Sequence, residues 1–255
     1  MKRALALGAI GASILLGACA TGPVEDRYAL YRDLMPRSIL VLPPINESVD
    51  VNATYSWLTT ASEPIGEQGY YVFPVAVVDE FMKENGLPNP EDMHAAPLDK
   101  IGEIFGADAV MYVTIEEYGQ KFELVRSTTR VVARAELVDV DTGQVFWSDR
   151  IQYADSNSNN SGGGLLGAVI NAAVAQVGDS ITDAAHDASI IANYQMFRAG
   201  RNQLLLGPGH PGHAEQMAAA EARLAEAEAE AEAEAAAEAD AAEKATSING
   251  EVPVQ

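Results

Sequence analysis

Residues 106–150 read GADAVMYVTIEEYGQKFELVRSTTRVVARAELVDVDTGQVFWSDR and carry the densest strand signal in the chain. Residues 109–115 are a nearly unbroken apolar run with two valines, a threonine and an isoleucine, as a strand buried on both faces requires. Residues 129–140 alternate instead. Val131, Ala133, Ala135 and Leu137 share one face, and Arg130, Arg134 and Glu136 share the other. Period two with one polar face describes an antiparallel strand with a wet side. Asp141-Thr142-Gly143 forms a short turn with glycine where positive φ is easiest, so residues 145–151 are expected to fold back as a hairpin partner.

Working upstream, residues 38–42 (SILVL) form a short buried-type strand, stopped by Pro43-Pro44 and followed by a loop at Asn46-Glu47-Ser48. Residues 53–62 fit a helix that Pro64 ends or kinks. A second strand covers residues 70–73. Val75, Val78, Phe81 and Met82 then sit at helical spacing, with Gly86 as the cap. Residues 87–96 are a loop. Pro97 opens another helix, Leu98, Ile101 and Phe105 face the core, and Gly106 closes it. Strand–helix–strand units favour parallel pairing with right-handed crossovers, whereas the later strands pair antiparallel. The expected fold is therefore α/β, a mixed sheet of about five strands with flanking helices.

Downstream, residues 154–164 (ADSNSNNSGGG) contain no core-forming side chain and suit a flexible linker. Residues 165–197 are helical in pattern, and the first half, 165–178, is uncharged and rich in Ala and Gly. This helix either docks on the domain core or packs against a membrane or another helix through its small residues. In the second case Gly167 and Ala172 are contact positions. Residues 204–211 break the pattern. Residues 214–244 are nearly all Ala and Glu, both good helix formers, but they show no apolar stripe. Glu226/Glu230 and Glu228/Glu232 are like-charge pairs four apart. A solvated, fraying helix or a disordered tail is expected.

At the N-terminus, Lys2 and Arg3 precede an uncharged apolar run at residues 4–16, the plan of a secretory signal peptide and too short for a comfortable membrane span. The run ends in Leu16-Gly17-Ala18-Cys19, which resembles the bacterial lipobox. In proteins with that motif the thiol receives a diacylglycerol, cleavage exposes the amine, and the amine is acylated. Cys19 is the only cysteine of the chain, so no thiol is left for disulfides or catalysis. Ala20 rather than Asp follows it, which by the same resemblance favours the outer membrane. The expected organisation is a signal peptide (1–18), a lipidated tether (19–37) whose Tyr28, Leu30, Tyr31 and Leu34 lie on the domain surface, an α/β domain with a C-terminal helix (38–200), and an acidic Ala/Glu-rich tail (201–255).

The chemistry is sparse. The formal net charge is −21, which opposes nucleic-acid binding. His94, His186, His210 and His213 form no H-E-x-x-H. His210 and His213 have ligand-like spacing but sit in a Pro/Gly breaker. Asp183, His186 and Asp187 share a helix face and read as a solvated polar face. There is no G-x-S-x-G, and Ser161-Gly162-Gly163-Gly164 lacks the Lys-Ser/Thr of a phosphate loop. Asp108, Asp139 and Asp141 flank strands, where turn roles account for them. No catalytic residue, cofactor or metal site is expected. The best candidate for a functional loop is the one after the first strand, with Pro43, Pro44, Asn46 and Glu47, because open α/β sheets bind ligands at strand C-terminal ends. A rigid turn is the alternative.

The lipobox, LVLPPINES, GYYVFPVAVVDEFMKENGL, GADAVMYVTIEEYG and DVDTGQVFWS together resemble a family of bacterial outer-membrane lipoproteins of unknown function, known from a meningococcal vaccine-candidate antigen. The resemblance covers about residues 1–200, and the tail from Pro208 onward departs from it. It implies a domain like the N-terminal domain of the periplasmic protein TolB. It also implies an accessory role beside an envelope lipoprotein such as the curli secretion channel CsgG, and it carries over no catalytic residue. Two expectations follow from different classes. One is an outer-membrane-anchored interaction module for secretion or surface assembly, contacting another envelope protein or another copy of itself. The other is an envelope enzyme or ligand-binding protein acting on peptidoglycan or glycan.

Overall fold

The computed structural model describes residues 26, 28–123, 126–156 and 184–249. Cys19, Gly167 and Ala172, and the expectations attached to them, lie outside the described residues, as does most of the expected linker. The chain divides into two units. Tyr28–Ala219 holds every described strand, and Met1–Arg27 with Ala220–Gln255 makes the other. Among the described residues no helix is long and apolar enough to cross a membrane.

The sheet has six strands: β1 (Ser38–Val41), β2 (Ile45–Asn46), β3 (Tyr71–Val72), β4 (Ala109–Glu123), β5 (Arg126–Asp139) and β6 (Val145–Ser156). Their order is β3-β1-β4-β5-β6, with β2 paired to β4 beyond the end of β1. β1 runs parallel to β3 and β4, β2 runs parallel to β4, and β4, β5 and β6 are antiparallel neighbours. β2 is the strand that the sequence left as a loop. Proline has no N–H to give a ladder, so Pro43-Pro44 interrupts one continuous path along β4 and splits it into β1 and β2. β6 also runs past the expected Ile151 to Ser156, where Thr128 faces it. Backbone pairing supplies that extension, and it needs no apolar side chain.

Alternation in β1 sets the two cores. Ile39 and Val41 enter one cluster with Trp57, Met111, Val113, Leu137 and Phe197. Leu40 and Leu42 enter the other with Val78, Met82, Met93, Ile101 and Val110. The first is covered by α1 (Ala29–Leu34), α2 (Ala53–Glu67), α6 (Ala184–Tyr194) and the π-helical turn Gln195–Ala199. The second is covered by α3 (Val75–Glu84), α4 (Pro90–His94) and α5 (Leu98–Phe105). The expected cap at Gly106 forms and ends α5 in the left-handed region at φ 66°. Residues 87–96, expected as a loop, contain α4, because Asn89 Oδ1 accepts from Asp92 N at 2.9 Å and Pro90 suits the first helical position. α2 continues to Glu67 with Pro64 buried inside it rather than ending before it. Pro64 lies in the last turn, where a missing intrahelical bond disturbs little.

Two expected surface segments belong to the core. Tyr31 is fully buried, packs edge-on against Phe146 at 5.0 Å, and lies 2.7 Å from the Tyr70 hydroxyl. Tyr70 Oη donates to Leu205 O at 2.7 Å, so Tyr31 Oη is the donor to Tyr70. Burial pushes both phenols well above their ordinary pKa and keeps them neutral. The stretch expected to start the tail is packed as well. Leu204 is fully buried, Gln68 Nε2 donates to Leu204 O at 2.8 Å, and Gly207 N donates to Gln68 O at 2.7 Å. A Cβ on Gly207 would lie 2.8 Å from the Tyr70 ring. Its glycines thus permit close approach, which a breaker composition read as looseness. The last helix, α7 (His213–Asn249), begins only after this clasp. From Ala220 to Ala237 none of its residues is buried, as the missing apolar stripe requires.

Removing residues 220–255 should leave the melting temperature within about 2 °C of the full chain, because the described side chains of residues 220–237 are not buried. Removing residues 201–255 strips Leu204, takes the Leu205 carbonyl from the Tyr70 hydroxyl and the Asn202 carbonyl from Trp147 Nε1, and leaves the Gln68 amide only its longer bond to Phe197 O. That costs on the order of 5 kcal/mol, which thermal unfolding should register as a drop of roughly 10–20 °C.

Candidate functional site

The outer face of β4–β6 first needs its charges placed. Arg150 Nη2 donates to Glu116 Oε2 at 2.6 Å, Arg134 Nη1 lies 3.6 Å from Glu116 Oε1, and Arg130 pairs with Glu117 at 3.4 Å. These five groups are paired with one another. The hydrogen bond from Arg150 is the main cause holding the Glu116 carboxyl below its usual range. Its folded pKa lies below the unfolded value of about 4.3, so the pair stabilises above that pH and is lost as pH falls through the folded value. Glu116→Gln should therefore lower the urea midpoint at pH 7, and the gap to the wild type should close as the pH drops well below 4.

A second polar cluster lies between α2 and α6. Ser56 Oγ meets His186 Nδ1 at 2.9 Å and accepts from Tyr118 Oη. A Ser–His contact invites a nucleophilic reading. The same kind of bond recurs at the next turns, however: Thr60 Oγ1 to Ser189 Oγ at 3.3 Å, and Asn193 Nδ2 to Thr60 Oγ1 at 2.7 Å and to Trp57 O at 3.2 Å. The repeat identifies a hydrogen-bonded helix–helix seam. His186 is half-buried in it, not on the solvated face expected from its spacing.

The remaining titratable candidates are structural. Asp108 Oδ2 accepts from Arg37 N, Ser38 N and Ser38 Oγ at 2.8–2.9 Å, pinning the start of β1 to β4. Asp139 Oδ1 accepts from Thr142 N and Oγ1 in the hairpin turn. His210 Nδ1 accepts from Gly212 N at 3.0 Å. His213 Nδ1 contacts Leu206 O at 2.6 Å and must donate there, because a carbonyl only accepts. Among the described residues no group of three or more His, Cys, Asp or Glu is placed to hold a metal ion.

The loop after β1 is different. Pro43 and Pro44 are buried, and their carbonyls are held by His94 Nε2 at 3.0 Å and Thr54 Oγ1 at 3.1 Å. Burial lowers the His94 pKa and keeps the ring neutral at pH 7. Asn46 is spent inside the loop. Its Oδ1 accepts from Ser48 N at 2.9 Å and Ser48 Oγ at 2.6 Å, and its Nδ2 donates to Asp50 O at 2.7 Å. Glu47 N donates to Ile115 O, and Asp50 Oδ1 caps Asn52 N. Of the four loop residues named from sequence, Pro43, Pro44 and Asn46 are therefore scaffold, and only Glu47 is exposed.

What the scaffold holds out is Val49, 98% exposed, and Val51, 85% exposed. One turn on, Tyr55 is also exposed, with Lys83 Nζ 5.1 Å above its ring. Sequence reasoning missed the two valines. Their signal was the alternation Ser48-Val49-Asp50-Val51-Asn52, too short for a strand yet apolar in a polar loop. Side chains stiff at χ1 on a locked loop lose little entropy on docking, and each contributes about 1.5 kcal/mol or more when covered. The loop also has a definite place. β1, β3 and β4 all begin at the end of the sheet where α1 enters, and the loop meets β4 at Ile115, six residues and roughly 20 Å along the strand from Ala109.

Asn46→Ala should cost about 1–2 kcal/mol of global stability. Amide exchange at residues 49–52 should rise about tenfold or more, while residues 38–41 should lose no more protection than the global destabilisation accounts for.

Comparison with known proteins gives one family. The family described as "Putative lipoprotein GNA1162-like" matches residues 26–209, which stops short of α7. Putative lipoprotein NMB1124/NMB1162 of Neisseria meningitidis serogroup B is 43% identical over 201 residues, covering 78% of this chain and 93% of its own. The crystal structure of lipoprotein GNA1162 from Neisseria meningitidis is 48% identical and covers 57% of this chain and 100% of that one, with a TM-score of 0.48. A PelC dodecamer structure from Paraburkholderia phytofirmans is 17% identical and covers 49% of this chain and 77% of that one, with a TM-score of 0.37.

Proposed function

Because the chain belongs to the GNA1162-like putative lipoprotein family, we propose that it is a non-catalytic accessory module of the cell envelope. In this reading it is anchored to the outer membrane by lipid on Cys19 and presents the Val49–Val51 tip to a protein partner. The observation that carries the reading is the tip itself: two valines held in water by a loop whose own polar groups are spent on holding them. Exposed apolar groups on a rigid frame mark an interaction site. Eight residues lie between Cys19 and Tyr28, a reach of at most about 30 Å. The partner in this reading is itself in the envelope, with a CsgG-like lipoprotein the first to test.

Two variants test this. Cys19→Ser should leave the precursor unprocessed or the domain released from the outer-membrane fraction. The double variant Val49→Ser, Val51→Ser should keep its circular dichroism and shift stability by no more than about 0.5 kcal/mol, as exposed substitutions do. It should also lose the proteins that co-purify with the wild type from solubilised envelopes. Retention of every partner by a folded double variant would remove the tip from the account.

A further inference from the structure

A groove of about 420 Å³ opens between α3, α4 and α5. Its walls are Phe81, Met82, Leu87, Ile101, Ile104 and Phe105, and Ile104 is 57% exposed. The groove adjoins the Val49–Val51 loop in the same molecule. Lys83 Nζ of α3 donates to Tyr55 Oη at 3.0 Å, one turn past Val51, and His94 of α4 holds Pro43 O at the root of the loop. Resting on the reading of the Val49–Val51 tip as a docking element, we propose that the protein partner that meets the tip also lays a basic amphipathic helix in this groove.

Charge selects that occupant. Residues 75–105 carry seven carboxylates against two lysines. Both lysines are engaged within their own helices, Lys83 by Asp79 at 2.7 Å and Lys100, which lines the groove, by Glu103 at 2.6 Å. Glu80, Glu84, Glu91, Asp92 and Asp99 are exposed and have no cationic partner among the described residues. Asp92 lines the groove itself, and Glu80 and Glu84 stand on α3 beside the wall residues Phe81 and Met82. Glu47, exposed on the loop, adds the same sign. On β4–β6, by contrast, Glu116 and Glu117 are paired with three arginines. An apolar floor with an acidic margin suits an apolar stripe flanked by lysine or arginine, and covering the floor excludes the water that would weaken the attraction. The same margin repels an anionic lipid surface, and it repels a second copy of a chain whose formal net charge is −21. A helix presents such a stripe at steps of three and four and lays it into a hydrophobic groove.

The test uses the full chain in cells. In separate variants p-benzoylphenylalanine replaces Ile104, Val51, or Val145, an exposed apolar residue on β6. After irradiation the adducts are digested and the joined peptides are sequenced. The expected result is one partner protein joined at both Ile104 and Val51 and not at Val145. Its peptide at Ile104 should carry apolar residues three or four apart, flanked by lysine or arginine. Adding Glu84→Gln and Asp92→Gln should lower the Ile104 adduct about threefold or more, with circular dichroism unchanged. An undiminished adduct in that folded variant overturns the assignment of a basic partner. A protein adduct at Val51, with none at Ile104 or with an Ile104 peptide lacking basic residues, overturns the groove inference and leaves the tip as a docking element. Ile104 adducts only to lipid, or only to this chain, overturn it as well. A basic-helix adduct at Ile104 with none at Val51 overturns the tip and with it the shared partner, and absence of adducts at both sites overturns groove and tip together.

Discussion

The backbone of β4 is hydrogen-bonded along both edges, and the rest of the domain hangs from that arrangement. On one side it receives β1 and β2 in parallel, and on the other β5 in antiparallel register over its whole length. The first half of β4 is covered by helices on both faces, so it needs apolar groups on both. Ala109, Val110 and Met111 supply them, with Met111 in one core and Val110 in the other. Two helical layers follow, because each core must be closed. The break at Pro43-Pro44 follows too: the chain along β4 is interrupted where no N–H exists, and the loop beyond β2 leaves β4 at Ile115 and brings Asp50 beside Gly119.

The layers are closed by different chemistry. α3–α5 close their side with aliphatic and aromatic groups, including the edge-on contacts Phe73–Phe105 and Phe81–Phe105. α6 closes the other side with alanines and a file of hydroxyl, imidazole and amide groups against α2. Ala185, Ala188 and Ala192 bring the helices close, and close approach makes side-chain hydrogen bonds across the seam possible. A polar seam of this kind specifies one angular setting of the helix, since rotation would leave buried groups unpaired at the cost described for any orphaned donor or acceptor. Trp57 Nε1 and Asn193 Oδ1 are buried in the same neighbourhood without a protein partner.

Much of this was legible in the sequence, for identifiable reasons. Residues 129–140 declared their strand because four inward and three outward positions keep period two. The cap at Gly106 and the hairpin at Asp141-Thr142-Gly143 follow from residue chemistry within a few positions. What stayed hidden depends on partners far along the chain. Two-residue β2 has no period to detect. Tyr31 in a polar tether gives no sign that Phe146 and Tyr70 await it. Leu204 sits among prolines and glycines, which report the absence of helix and say nothing about packing. The candidate loop was found through the rule for strand ends, but the residues chosen were those with functional groups. The structure uses Asn46 to build the loop, and the groups it leaves exposed are hydrocarbon.

The Asp108 pin has a mechanical consequence. A pull applied between the chain before Ser38 and the loop after Pro43 is carried along β1. β1 is bonded side by side to β3 and β4, with strands parallel to that line of pull. Load applied this way acts on all the rungs at once in shear, instead of opening them one after another as a zipper. The three hydrogen bonds gathered by the Asp108 carboxylate sit where the load enters and share it with β4 from the first residue. Force between the two ends of β1 thus runs through the stiffest direction of the sheet and is carried without loosening either core.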